Sequence, residues 1–400
     1  MLTACAPAGD SDSPADSGGP VTLTVWHYAT QDEQLDVLDQ YKTMFEENND
    51  GVTVENVYVP YDQLNSKLIS SAGAQTGPDV VVFNGAEASI LALGGALAPM
   101  TEQWDGFADK DQLPESVVHI VEEETYAAQG YVSLLGLWYN SDLLAEIGVE
   151  PPTTMDELND AMDAAVAAGK QGITLSGRPQ SQGEWQAYPW LTSFGFDYAD
   201  PQAEPLEEAF TMVQEWTETG ALSKEAATWD QTVPFQTWAA GNVAFAENGN
   251  WQLGAVDDAA DFEYGVVPMP LGDDGQVYLG GEGQGIGAFS ENPDVAWNYL
   301  EETYFSPEGQ QIALTTAGSL PSRADAADDD AIAADPILAA FASSITDLGA
   351  NYPSTAVPAE SVADQQLSVG QTWSAVISGQ TSPSDAADEL IDTLTPLLGR

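Results

Sequence analysis

Strand-like and helix-like segments alternate from residue 21 onward, and this constrains the fold more than any other feature. VTLTVW (21–26) alternates apolar and polar residues and is rich in β-branched side chains, the pattern of a half-buried strand. Leu35, Leu38, Tyr41 and Phe45 then recur at helical spacing. VTVENVYV (52–59) reads as a second strand and Gln63 to Gly73 as a second helix. DVVVF (79–83) is a short apolar run suited to a parallel strand covered on both faces. Such alternation predicts an open α/β lobe that receives ligands at the carboxyl ends of its strands.

The pattern restarts after about residue 125. LLGLWYN (134–140) is a strand, and PPTTMDELNDAMDAAVAAG (151–169) is a helix whose Thr154 and Glu157 fit a capping box. From Ile173 to Pro205 the chain is rich in Trp, Tyr, Gly, Gln and Ser and shows no period. Helices are predicted near 206–219 and 233–240, then strands in YGVVPMP (264–270) and GGEGQGIGAF (280–289). Asn292-Pro293 and Ser306-Pro307 are cap and first-turn pairs for two more helices, and Ser384 to Leu398 reads as a final amphipathic one. Four hundred residues exceed one ordinary core, so two or three domains are expected.

Charge narrows the possible partners. The chain has 64 acidic and 8 basic residues, formally -56, so nucleic acid is excluded and phosphorylated substrates are disfavoured by repulsion. With so few cations, most carboxylates must form a hydrated anionic shell screened by ions, which points to a salty extracellular medium. The single cysteine, Cys5, leaves no partner for an internal disulfide. Leu2-Thr3-Ala4-Cys5 is similar to a bacterial lipobox, so Cys5 is expected to carry a lipid anchor on the outer face of the cell membrane. The basic and apolar parts of a signal peptide are missing upstream. APAGDSDSPADSGGP (6–20) has the composition of a flexible tether.

Signals for catalysis are thin. His27 and His119 lie outside any metal-ligand spacing, and no metal or cofactor is expected. GGEGQG lacks both the lysine of a phosphate loop and the strand-to-helix setting of a dinucleotide fingerprint. Carboxylate pairs, as glycoside hydrolysis requires, carry no information among 64 acids. Aromatics in polar loops say more, because a sugar ring stacks on an indole while its hydroxyls seek amides and carboxylates. That combination occurs in WHYATQDEQ (26–34), GEWQAYPW (183–190) and ENGNW (247–251). Trp138, Trp216, Trp238, Trp297 and Trp373 sit in periodic segments and are assigned to packing. For Trp185, Tyr188 and Trp251, ligand contact and core packing both stay open.

Several motifs occur in a set order: VTLTVW; TGPDVVVFN (76–84); GALAPMT (95–101); LWYNSDLLAEIGVEPPTTMDEL (137–158); GN…NGNW (241–251); YGVVPMP; GGEGQGIGAFSENPDVAWNYLEETYFSPEGQQ (280–311); and GSLPSR (318–323). This series resembles the family 1 extracellular solute-binding proteins of ATP-binding cassette importers, the maltose and oligosaccharide type, over nearly all of residues 21 to 398. The resemblance implies a two-lobed, periplasmic-binding-protein-like α/β fold of the class II type. Lobe 1 would hold residues 21–126 plus 267–312 and lobe 2 residues 127–266 plus 313–400, with hinge crossings near 127, 266 and 313. It implies a monomeric binder rather than an enzyme, which closes on a carbohydrate and delivers it to a membrane permease.

Carried over by motif, the ligand-binding set is Tyr28, Gln31, Asp32, Asn84 and Glu87 from the first lobe, with Gly281 and Glu282 from its returning strand. Glu184, Trp185, Tyr188, Asn250 and Trp251 come from the second lobe. Arg323 follows the last crossing, where ligand contact and a hinge ion pair are equal readings. Two departures stand out. YAAQGYVSLLG (126–136) replaces the usual glycine-lysine turn and proline, and Tyr352 is a poor stand-in for the late aromatic of maltodextrin binders. A mono- to trisaccharide is therefore the expected ligand. The rivals are a cationic solute such as a polyamine, caged by aromatics and acids, and a secreted glycoside-active enzyme.

Overall fold

The computed structural model describes residues 19–326 and 329–400. The tether through residue 18 and Cys5, with its expected lipid, lie outside the described residues. Two sheets organise the chain. The first has seven strands, ordered Val52–Tyr58, Val21–His27, Val80–Asn84, Glu282–Gly287, Glu124–Ala128 and Val118–Val121, with Leu97–Ala98 beside Glu282–Gly287. Its first three strands are parallel, and Glu282–Gly287 enters antiparallel against Val80–Asn84. The second sheet runs Tyr264–Val267, Leu135–Asn140, Val243–Gly249 and Gln171–Thr174.

The local reasons are those of the sequence. In Val80–Asn84 the first four residues are buried, as an apolar strand covered on both faces should be. Helix Asp32–Asn48 buries Leu38, Tyr41 and Phe45 of the stripe that the spacing predicts, adds Val37, and leaves Leu35 exposed. Helix Met155–Ala167 starts at Thr154, whose hydroxyl accepts from the Glu157 main-chain N–H at 3.2 Å. The Glu157 carboxylate reaches back to the Thr153 N–H at 2.8 Å, one residue ahead of the cap position.

One segment departs from expectation. Ser181–Thr192 lies inside the stretch without periodicity, yet it is a helix, and all ten residues from Gly183 to Thr192 are buried. A helix enclosed on every side has no polar face, so its sequence carries no 3.6-residue signal.

Chain segments pass between the sheets and knit together there. Tyr131–Val132 pairs with Leu320–Pro321, Ser133 bridges to Gly280, and Val277–Leu279 lies parallel to Gly349–Asn351. Helix Pro307–Ala317 packs on Asp32–Asn48, beside the first sheet. Helix Pro336–Asp347 packs on Tyr264–Val267, beside the second.

Candidate functional site

A cleft of about 510 Å³ opens between the two sheets. Its first-sheet side is built where strands end: Tyr28 follows Val21–His27, Asn84 closes Val80–Asn84, and Glu282 starts Glu282–Gly287. Across from them stand Trp185, from helix Ser181–Thr192, and Trp251, in the turn after Val243–Gly249. The strand-end position expected of an open α/β lobe thus holds on both sides.

Trp251 reaches the cleft because of the glycine before it. A Cβ at Gly249 would lie 1.9 Å from Trp251 Cζ3, so the indole folds back over bare main chain and stays partly exposed. Phe245, six residues earlier, is fully buried in the sheet. Trp185 uses the same device against a distant glycine: a Cβ at Gly280 would meet its Cη2 at 2.4 Å. Its ring lies 4.5 Å from Tyr352, edge to face, 5.7 Å from Tyr278 and 6.5 Å from Trp251. Trp138, Trp216, Trp238, Trp297 and Trp373 are all buried, in line with their assignment to packing.

On the floor, Tyr28 donates its hydroxyl to Glu282 Oε1 at 3.0 Å, and the Tyr131 hydroxyl reaches the same carboxylate. Burial lifts the Glu282 carboxyl above the usual carboxylate range, and these two hydroxyls partly offset it. Its Oε2 is buried and without a protein partner. Asn84 donates to the Tyr61 hydroxyl at 3.0 Å and caps the turn that follows by accepting from the Ala86 N–H. Below the floor a recess of about 50 Å³ continues the cleft, between His27, Leu38, Val82 and Tyr304. At the rim Arg178 pairs with Asp62 at 3.2 Å and joins the two sides of the cleft.

Of the thirteen ligand-binding residues expected from the sequence, Tyr28, Gln31, Asn84, Trp185, Trp251, Gly281 and Glu282 line this cleft. The other six do not. Asp32 is an exposed residue in the first turn of its helix, where a carboxylate favours the dipole. Glu87 is half-buried beside Asn65, its carboxyl pushed up to about 7 by burial. Glu184 is enclosed behind the wall, and Tyr188 stacks on Tyr278 at 3.6 Å while donating to Gln276. Asn250 lines only the recess, and its amide is taken up by main chain, accepting from Leu134 N–H and donating to Val132 C=O, both at 3.1 Å. Arg323 is 2% exposed and binds Asp109, Asp325 and the Phe305 carbonyl, which settles its two readings in favour of an ion pair away from the cleft.

The cleft also contains residues that sequence reasoning missed or set aside. Tyr352, which the sequence marked as a poor stand-in for a late aromatic, lines it. Tyr61 and Phe235 add further aromatic surface, and Gln34, Gln182, Gln231, Gln236 and Gln252 add amides. Single glutamines in helices and loops look like ordinary surface, so only their convergence marks them. Tyr352 is brought in by the parallel pairing of Gly349–Asn351 with Val277–Leu279, a contact between distant segments.

Known proteins agree with this architecture. The model of the bacterial extracellular solute-binding protein family matches residues 40–340. A putative binding protein of Brucella abortus strain 2308 is 23% identical over 351 residues, 84% of each chain. Among solved structures, the GacH receptor of Streptomyces glaucescens, known unliganded and with acarbose, superposes with a TM-score of 0.84 at 24% identity, covering 94% of this chain and 98% of its own. Maltose-bound MalE3 of T. maritima gives 0.81 at 22% identity, covering 94% and 100%. These structures share the two-lobed fold. With three quarters of its length matched by the family model and a cleft between two α/β lobes, the chain belongs to the bacterial extracellular solute-binding protein family.

Proposed function

We propose that the protein captures a neutral sugar, from a mono- to an oligosaccharide, between its lobes and presents it to the permease of an ATP-binding cassette importer. One observation carries this reading. In a chain with 64 acidic residues, 22 of the described residues line the cleft, and Glu282 is the one acidic or basic residue among them. Six glutamines, Asn84 and several hydroxyls supply the polarity, and Trp185, Trp251 and five other aromatics supply stacking faces. Uncharged donors and acceptors beside π-faces match a polyhydroxylated ring. The acarbose and maltose named for two structural relatives are consistent with this.

A polyamine fits poorly, because a single carboxylate cannot neutralise several ammonium groups. Glycoside hydrolysis employs two carboxyl groups flanking the bond, and the lining has one, which favours binding over catalysis. In this reading the hinge crossings lie near 127 and 266, and the third lies near Gly318 rather than 313, because helix Pro307–Ala317 packs on Asp32–Asn48 of the first lobe. The lobes are then residues 21–126 plus 267–317 and 127–266 plus 318–400. Anchoring through a lipid on Cys5, on the outer face of the membrane, and a monomeric state complete it.

Titration calorimetry with glucose, maltose, maltotriose and trehalose, against spermidine as the cationic control, tests the proposal. A saturating neutral sugar whose affinity barely changes between low and molar salt is expected. Spermidine binding that collapses with salt, with no heat from any sugar, would overturn it.

A further inference from the structure

Glu184 does not touch the cleft, yet it occupies an unusual place behind it. The side chain is 1% exposed. Oε1 accepts three hydrogen bonds: from the Tyr278 hydroxyl at 2.7 Å, the Tyr198 hydroxyl at 3.2 Å and Gln365 Nε2 at 3.3 Å. Gln365 also donates to the Tyr198 oxygen at 2.6 Å. Oε2 is buried with no protein partner. A carboxylate loaded on one oxygen and bare on the other is a poor structural filler, since a glutamine of the same shape would avoid the cost of a buried charge.

The three donors come from different parts of the chain. Tyr278 belongs to Val277–Leu279 and sits two residues before Gly280, on which the Trp185 indole rests. Its ring is stacked on Tyr188 at 3.6 Å and lies 4.6 Å from Tyr352. Gln365 belongs to helix Val362–Ser378, whose next residue, Gln366, donates to the Tyr352 hydroxyl at 3.1 Å. Glu184 itself precedes Trp185 on the same helix. One carboxyl group therefore ties together the elements that carry Trp185, Tyr278 and Tyr352.

We propose that Glu184 is the positioning residue of the cleft's aromatic wall, and that its charge state sets how tightly Trp185 and Tyr352 are held for the ligand. Hydrogen bonds to an ionised acceptor are shorter and stronger than those to a neutral one, so the ionised form grips Tyr278 and Tyr198 and the protonated form slackens them. The groups facing it are Tyr198 and Tyr278, Tyr188 on its own helix, Tyr352, and Gln365; Asp197 lies beyond Tyr188. Among the described residues no cation acts on it, and burial pushes its carboxyl up to about 7. Wall order is therefore expected to rise with pH across neutrality. The consequence for capture rests on the sugar reading of the cleft, whereas the wall itself can be tested without any ligand.

The test follows tryptophan indole N–H resonances of the ligand-free full chain from pH 5.5 to 8.5, with Trp185 and Trp251 assigned through Trp185→Phe and Trp251→Phe. The Trp185 resonance is expected to shift with a midpoint near 7, to do so equally in Glu87→Gln and to stay still in Glu184→Gln, while Trp251, on a turn held by Asn250, shifts less. Tyr278→Phe removes a donor that favours the ionised form, so its midpoint should move upward, and this variant serves if Glu184→Gln does not fold. A static Trp185, a transition that persists in Glu184→Gln or vanishes in Glu87→Gln, or an unmoved midpoint in Tyr278→Phe would overturn the proposal. A Trp185 transition in a protein that binds no sugar would leave the positioning role standing and sink only the sugar reading.

Discussion

The two walls of the cleft facing Tyr28 are built from adjacent residue pairs, Glu184-Trp185 and Asn250-Trp251. In each pair the aromatic faces the cleft and the polar residue turns inward to hold the backbone or its neighbours. The difference lies in how completely the polar member is satisfied. The Asn250 amide gives both its donor and its acceptor to main chain at 3.1 Å, locking the 131–134 passage to the turn. Glu184 concentrates three donors on one oxygen and leaves the other without a partner among the described residues. A satisfied neutral amide makes a fixed joint, and a half-satisfied acid makes one that responds to pH.

The strongest way to break this comparison is Asn250→Ala. It strands the Leu134 N–H and the Val132 carbonyl in a buried setting, and urea unfolding should show a loss of about 2 to 4 kcal/mol. A loss below half a kilocalorie would mean that Asn250 is not a joint at all. Next comes the pH dependence of stability. The Glu184 carboxyl is raised in the folded chain from 4.5 to about 7. The folded state therefore holds a proton that the unfolded state releases, and this stabilisation is complete below about 4.5 and lost as pH rises through about 7. Unfolding of the wild type minus that of Glu184→Gln should decline by up to about 3 kcal/mol over that window. A flat difference would make Glu184 as inert as Asn250.

Trp251→Ala sharpens the functional half of each pair. The partly exposed indole is expected to contribute about 1 to 3 kcal/mol to sugar affinity by calorimetry, with little change in unfolding. Trp185→Ala should lose both, because Trp185 is 7% exposed and packs on Gly280 and Tyr352. The smallest effect belongs to the rim. Arg178→Gln removes the ion pair to Asp62, whose side chain is 61% exposed, so affinity should fall by no more than about 1 kcal/mol and the loss should vanish in molar salt. A larger or salt-independent loss would show that the rim, rather than the aromatic wall, controls closure.

Much of this was legible in the chain itself. The strands 21–26, 52–59 and 79–83 and the helix carrying Leu38, Tyr41 and Phe45 follow from period and β-branching, which act over a few residues, although Leu35 of the expected stripe is exposed and Val37 is buried in addition. The polar, glycine-bearing setting of Trp251 set it apart from Trp138, Trp216, Trp238, Trp297 and Trp373, which sit in periodic segments and are buried, but it did not separate Trp251 from Trp185, which is also buried. The motif order located seven of the cleft residues for the same local reason: each sits at a strand end or in a turn.

Tertiary structure alone decided which face of a short segment meets the cleft. Glu184 and Trp185 are one residue apart, and helix Ser181–Thr192 is buried all round, so no amphipathic pattern could say which of them points outward. Tyr352 reaches the cleft beside the pairing of Gly349–Asn351 with Val277–Leu279, segments far apart in sequence, and the five glutamines converge there from separate segments; local spacing has no access to either. Arg323 was equally open until its donors were seen to be taken by Asp109, Asp325 and the Phe305 carbonyl. Composition and periodicity specify what each element is. The direction in which a side chain points, and the partner that satisfies it once buried, are set by the close packing of elements that only the folded chain brings together.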